Sequence, residues 1–204
     1  MEETPQIIWL EVTDSTNDEV RRHLSDLANL SVVSAWKQTA GRGQGDHTWT
    51  SAPGENLTFS WLLRFPPCKA VAASEILLLT QVVTRGIREY LLSRGVTARI
   101  KWPNDIYVGE RKICGILIEN ILDGKQVSAS VLGVGFNLNQ LLFPEDLPNP
   151  VSLRQLTGCM YDPAAELNAL WESLKKSAAL LETQEGRICL GQYFEAWVFR
   201  REER

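Results

Sequence analysis

Basic residues are absent from the first fifteen positions. Residues 1 to 15 hold Glu2, Glu3, Glu11 and Asp14 and no Lys or Arg, so this stretch does not read as a signal peptide. Long apolar runs are absent too: the longest, such as Ile76 to Leu79, fall far short of the ~20 residues that cross a bilayer. Cysteine is scarce. Cys68, Cys114, Cys159 and Cys189 contain no CxxC pair and the chain has 2 histidines, which argues against a zinc site and against a disulfide framework. A net charge of -4 lacks the clustered basic excess of a nucleic-acid binder. What remains is 204 residues, 44% of them hydrophobic, which suits one large globular domain of cytoplasmic type.

The periodicity predicts alternating strands and helices. Ile7 to Val12 reads as a strand. Thr16 with Glu19 three residues on is a capping-box pattern, followed by Val20, Leu24 and Leu27 at helical spacing. Val32 to Trp36 and Leu57 to Leu63 read as strands separated by a long loop, Lys37 to Asn56, containing Gly41, Gly43, Gly45 and Gly54. Long loops inside compact domains are usually functional or disordered. Ser74 to Leu92 reads as a helix. Between Arg99 and Asn139 a meander is expected, with Ile106 to Val108 and Ile113 to Ile118 around a turn at Gly109. Asp123-Gly124 is a hairpin signal between Ile116 to Leu122 and Val127 to Val134. Asp162-Pro163 opens a helix with the apolar face Leu167, Leu170, Trp171, Leu174, Ala178 and Leu181; Gly186 is expected to end it, and Ile188 to Val198 to form a final short helix. The class is α+β, a mixed β-sheet flanked by helices.

Four segments have both a structural and a chemical reading. Asp14-Ser15-Thr16-Asn17 is an ordinary helix start, or two hydroxyls beside free N–H groups able to hold a carbonyl or anion. Gln38 to Trp49 is a surface loop, or a glycine-lined backbone that approaches a phosphate, with Arg42 for an oxyanion and Trp49 as a flat partner for a base. Lys101-Trp102-Pro103-Asn104-Asp105 is a sheet edge with a bulge, or a break in the ladder that clusters charged and amide groups. Lys112 to Glu119 is a strand with a solvated lysine at its end, or a lysine at the mouth of an apolar strand where Gly115 lets a ligand lie on the backbone.

Together these segments resemble the signature set of the biotin–protein ligases: a Ser-Thr-Asn start, a Gly-Arg-Gly loop ending in Trp, Lys-Trp-Pro-Asn-Asp, Lys-x-x-Gly-Ile-Leu-x-Glu, and a late Gly-x-Gly-x-Asn, here Gly133-Val134-Gly135-Phe136-Asn137. All five occur in the family's order across residues 14 to 139. The resemblance implies a biotin/lipoate ligase catalytic domain over 1–204, similar to class II aminoacyl-tRNA synthetases, without the small C-terminal SH3-like barrel that the family usually adds. It also lacks a helix-turn-helix before Ile7, so repressor activity is not expected.

The resemblance further implies ATP-dependent activation of biotin to biotinyl-5'-AMP and transfer to a lysine of a biotin carboxyl carrier protein domain. ATP, magnesium and biotin are the implied ligands, with no nucleic acid or membrane partner and a homodimer as an option. By position, Ser15, Thr16 and Gln38 would hold the ureido ring, with Asn17, Gly43, Gln44 and Gly115 in the same biotin-binding set. Arg42 and Lys112 would be the catalytic cations facing the biotin carboxylate and the adenylate phosphate. Gln44, His47, Trp49, Lys101, Asn104 and Asn137 would serve the nucleotide, and Asp105 the metal. Gln44 departs from the Gly-Arg-Gly-Arg of well-known members, leaving fewer permanent cations in the loop. Two other readings stand beside this one: a lipoate–protein ligase or octanoyl transferase of the same fold, and a non-catalytic biotin-binding protein.

Overall fold

A computed structural model describes residues 4–67 and 71–199; Cys68 lies outside the described residues. In chain order the elements are β1 (Ile7–Thr13), α1 (Thr16–Arg22), β2 (Val32–Gln38), β3 (Leu57–Arg64), β4 (Val71–Ala72), α2 (Leu77–Ser93), β5 (Arg99–Lys101) and β6 (Asp105–Val108). There follow β7 (Arg111–Asp123), β8 (Gln126–Phe136), α3 (Leu153–Thr157), α4 (Pro163–Ala178), α5 (Gln184–Trp197) and β9 (Val198–Phe199). The architecture is the expected mixed sheet flanked by helices, and the strands described form no closed barrel.

The chain divides into two compact units. The first takes in the described residues up to Ile76 together with Ile116–Phe136. Here β1 pairs parallel with β2, β2 antiparallel with β3, and β3 antiparallel with β8 in an unbroken register from Leu57↔Phe136 to Arg64↔Ala129. Gly124, at φ 59, closes the β7–β8 turn at the place the Asp-Gly pair predicted.

Side chains alternate across a strand, so Leu62, Ser60 and Thr58 share one face of β3, and Val131, Gly133 and Gly135 face the same way beside them on β8. At the Leu62–Val131 end this face is apolar and packs under Val20 and Leu27, with Val33 and Ala129 in the same cluster. At the other end it carries hydroxyls and glycines. The change of character along one face positions the candidate site.

The second unit holds Leu77–Gly115 and the described residues from Asn137 onward. Helices α2 and α4 approach so closely at Gly86 that a Cβ there would meet Leu174. Ser173 Oγ donates to the Gly86 carbonyl and Ser177 Oγ to the Val82 carbonyl, both at 2.8 Å. Tyr90 Oη donates to Glu166 Oε2 at 2.5 Å, and Arg94 Nε reaches the same oxygen at 2.8 Å. Burial and the Glu166 carboxylate both push the Tyr90 phenol well above its usual range.

Several local expectations are corrected. Ser15, not Thr16, is the N-cap of α1, it makes no side-chain cap bond, and the helix ends at Arg22, short of Leu24 and Leu27. Lys101-Trp102-Pro103-Asn104-Asp105 is a tight hairpin, with Lys101 paired to Asp105 across three residues; the bulge falls between Ile106 and Tyr107. Gly186 does not end the α4 helix. That helix stops at Ala178, and Gly186 is buried in the first turn of α5, where the Leu180 carbonyl leaves no room for a side chain. Strands β4 and β9 and helix α3 are too short for periodicity to reveal.

Candidate functional site

The first unit gathers a buried polar network where the sheet face turns from apolar to polar. Parallel pairing of β1 and β2, with Thr13 opposite Gln38, sets Gln38 beside the start of α1. Its Oε1 accepts the Thr16 backbone N–H at 2.8 Å and lies 3.2 Å from Thr16 Oγ1. Ser60 Oγ lies 2.8 Å from Thr16 Oγ1 and 2.5 Å from Asn17 Oδ1. Asn17 Nδ2 in turn donates to Glu119 Oε2 at 2.8 Å. Ser15, Thr16, Asn17 and Ser60 are all buried. One N–H of this helix start, that of Thr16, is already taken by Gln38, and α1 has only seven residues.

Two glycines make this packing possible. The Asn17 amide sits on Gly133 and the Trp49 ring on Gly135, each so close that a Cβ would overlap it. The Gly-x-Gly spacing thus puts two bare backbone positions on one face, at the pleat's period of two.

The glycine loop is a small hairpin. Arg42 bridges to Thr48, Gly43 N donates to the His47 carbonyl at 2.7 Å, Trp49 N donates to the Gly41 carbonyl at 2.9 Å, and Gly45 supplies a positive φ of 62. Gln44 and His47 are exposed at its tip, and Gly43 is half-buried. Arg42 turns back onto the body of the unit. One of its Nη atoms lies 2.7 Å from Asp18 Oδ1 and 3.0 Å from Glu119 Oε2, so its charge is matched by two carboxylates. Arg22 likewise pairs with Asp14, and that hydrogen bond, with the Ser15 N–H, holds the Asp14 carboxyl down to about 2.

The second unit holds the remaining residues of interest. Lys112 Nζ lies 2.8 Å from Asp105 Oδ1, on neighbouring strands in which Asp105 pairs with Gly115. The Lys112 backbone is fixed on both sides, its N–H to the Asn149 carbonyl and its carbonyl from the Val151 N–H. Asn137 is buried, and its Nδ2 donates to the carbonyls of Val151 at 3.1 Å and Lys112 at 3.4 Å. Lys101 Nζ lies 5.4 Å from the centre of the Tyr107 ring, and Asn104 is half-buried in the hairpin turn.

The Asp105 carboxylate is shared with the Lys112 ammonium, so a magnesium ion brought in with phosphates would meet a carboxylate already paired with a cation. Burial pushes the Cys114 thiol far up, so it behaves as an apolar core group.

The structure therefore brings Thr16, Asn17, Gln38 and Arg42 into one hydrogen-bonded group in the first unit, and Lys112 with Asp105 and Asn137 into another in the second. Two members of the first group escaped the sequence reading. Ser60 is hidden in the apolar run Leu57 to Leu63, although a hydroxyl inside such a run was itself a signal. Glu119 ends the Lys-x-x-Gly-Ile-Leu-x-Glu motif, and nothing in that spacing shows that it meets Asn17 and Arg42.

Comparison with known proteins places these residues in context. The family model described as the biotin/lipoate A/B protein ligase family matches residues 9–137. The bifunctional ligase/repressor BirA of Bacillus subtilis is 34% identical over 169 residues, covering 78% of this chain and 49% of that protein. The biotin–[acetyl-CoA-carboxylase] ligase of Paracoccus denitrificans is 35% identical over 179 residues, covering 84% of this chain and 72% of its own. Among solved structures, the biotin protein ligase of Aquifex aeolicus in complex with biotin and ATP superposes with a TM-score of 0.81 at 25% identity, covering 96% of this chain and 79% of that one. The chain spans about half the length of the BirA proteins it matches. The match of most of the motif-bearing chain shows that this protein belongs to the biotin/lipoate A/B protein ligase family.

Proposed function

We propose that this chain activates biotin with ATP and transfers it to a lysine of a biotin carboxyl carrier protein domain, in the cytoplasm, with both units acting as one catalytic domain. The last point is supported by the chain's path: it passes between the units three times, so neither is a contiguous segment. No helix among the described residues is long and apolar enough to cross a membrane.

The observation that carries the reading is the buried network of Thr16, Gln38, Ser60 and Asn17. Such an arrangement suits a small polar ring with both N–H and C=O groups. It does not suit a plain acyl chain, which wants an apolar slot. This favours biotin over the lipoate or octanoyl readings, and so do the relatives of Paracoccus denitrificans and Aquifex aeolicus, which are named as biotin ligases.

In the first step a biotin carboxylate oxygen forms a bond to the α-phosphorus of ATP as the bond to pyrophosphate breaks. Two anions must approach, and unit charges ~4 Å apart repel by about 4 kcal/mol at an effective dielectric of ~20. Arg42 is a cation of the first unit proposed to offset this. Its exposed ion pairs with Asp18 and Glu119 are of a kind contributing ~0.2–1 kcal/mol. A charge-assisted bond to an oxyanion away from water contributes about 1.5–3 kcal/mol, enough for a ligand to compete with those exposed pairs for the guanidinium. Lys112 is proposed as the second catalytic cation. In the second step the acceptor amine attacks the acyl carbon and AMP leaves. The roles of Gly43, Gln44, His47, Trp49, Lys101, Asn104, Gly115 and Asn137 toward biotin or nucleotide are proposals by sequence position. Magnesium is proposed to arrive with ATP.

Biotin-dependent exchange of labelled pyrophosphate into ATP tests the reading. Exchange with biotin and none with lipoate or octanoate supports it; exchange with lipoate alone turns it to the sister activity; binding of biotin without exchange leaves a binding protein.

A further inference from the structure

We infer that Ser60, which touches no solvent, sets the hydrogen-bonding polarity of the ring subsite and thereby selects a ligand that presents an N–H to Thr16. The inference rests on the biotin reading above and extends it to a positioning residue.

It follows from counting protons. The Thr16 backbone N–H can only donate, so the Gln38 atom 2.8 Å from it must be the amide oxygen. That orientation leaves Gln38 Nε2 as a donor, and no partner for it occurs among the described residues. Ser60 has a single hydroxyl hydrogen and two short contacts, to Asn17 Oδ1 at 2.5 Å and to Thr16 Oγ1 at 2.8 Å. Asn17 is oriented independently, because its Nδ2 must face the carboxylate of Glu119. Its Oδ1 therefore faces Ser60, and an amide oxygen can only accept. Ser60 must donate to Asn17, or two acceptors would confront each other at 2.5 Å in a buried site. Ser60 can then only accept from Thr16, so the Thr16 hydrogen points at Ser60 and away from the longer 3.2 Å contact with Gln38.

Every hydrogen in the chain Glu119–Asn17–Ser60–Thr16 is thus fixed in one sense. Toward a ligand, Thr16 Oγ1 is left with acceptor capacity alone, and Gln38 Nε2 with donor capacity alone. The subsite is complementary to an N–H beside a C=O, the edge of a cyclic urea. A dithiolane has neither group, and a ring with oxygen in place of the N–H would set two acceptors face to face.

The test is calorimetric titration of biotin and of two biotin analogues in which one or the other ring N–H is replaced by oxygen, into wild type and Ser60→Ala. For one of the two analogues wild type should bind about a hundredfold or more weakly than biotin, as sites built to pair with a polar group reject analogues lacking it. In Ser60→Ala the Thr16 hydroxyl is free to turn and donate, so the ratio should fall to about tenfold or less. A purely structural role would weaken biotin and analogue together and leave the ratio unchanged, and that outcome in a folded variant overturns the proposal. If Ser60→Ala does not fold, Asn17→Ala decides by the same ratio, since it releases the Ser60 hydrogen. A wild type that accepts both oxygen analogues as well as biotin also overturns the assignment to Ser60 while leaving the biotin reading intact. A wild type that does not bind biotin overturns both.

Discussion

Asp105 Oδ1 lies 2.8 Å from Lys112 Nζ, so the lysine of the Lys-x-x-Gly motif and the last residue of Lys-Trp-Pro-Asn-Asp are partners in one ion pair. Neither motif alone shows this. It depends on the antiparallel register that sets Asp105 against Gly115. A cation beside a reacting carboxylate should matter to chemistry more than to biotin affinity. Lys112→Ala is therefore expected to slow adenylation by ~100-fold or more with biotin still bound. Asp105→Asn keeps the shape and removes the counter-charge, and its loss should be smaller. If the pair acts as a unit, pyrophosphate exchange in the double variant will be no slower than in Lys112→Ala; losses that multiply would mean that the two act independently.

Gln44 stands exposed at the tip of the glycine loop, where it supplies at most a neutral hydrogen bond. An arginine there would add a forked, permanently charged donor. With charge-assisted bonds contributing ~1.5–3 kcal/mol against about 1 for neutral ones, Gln44→Arg should slow release of labelled biotinyl-adenylate by about tenfold, less at moderate salt than at low. Unchanged release would show that the tip does not face the phosphate.

The loop's own hairpin bonds give a pattern for hydrogen exchange. Amides of Gly43 and Trp49 are hydrogen-bonded within the loop, and should exchange more slowly than those of Gly45 and Asp46 in the ligand-free protein. A non-hydrolysable biotinyl-adenylate analogue should add protection across residues 41 to 48. Equal exchange with and without it would remove the loop from adenylate retention.

Tyr90, Arg94 and Glu166 tie α2 to α4 in the second unit. Tyr90→Phe leaves Arg94 on the carboxylate and should cost about 1–2 kcal/mol of stability in urea unfolding. Glu166→Ala removes the carboxylate that both groups share and should cost more. Equal losses would show that the phenol and not the carboxylate holds the helices.

Those parts of the molecule that depend on local chemistry were readable from sequence. Asp123-Gly124 announced its hairpin because a positive φ wants glycine, and Asp162-Pro163 opened α4 because an Asp side chain caps the first turn. What depends on register was not readable. Thr16 looked like a helix cap, yet Gln38, brought alongside by parallel pairing of β1 and β2, claims its N–H. Asp105 and Lys112 belong to separate motifs, and only the folding of β6 against β7 makes them an ion pair. Ser60 lay unnoticed in a strand whose other residues are mostly apolar, because a sequence does not say which face of a strand a hydroxyl will meet.

The pairing of β3 with β8 has a consequence for how the chain is made. Leu57 leaves the ribosome long before Phe136, its partner, and the whole of α2, β5 and β6 emerges between them. Until then β3, whose residues are nearly all buried in the finished molecule, has an open edge and an uncovered apolar face. The nascent protein thus passes through a stage in which an almost wholly buried strand waits for a distant partner, and that is the stage at which a holding chaperone would have something to hold.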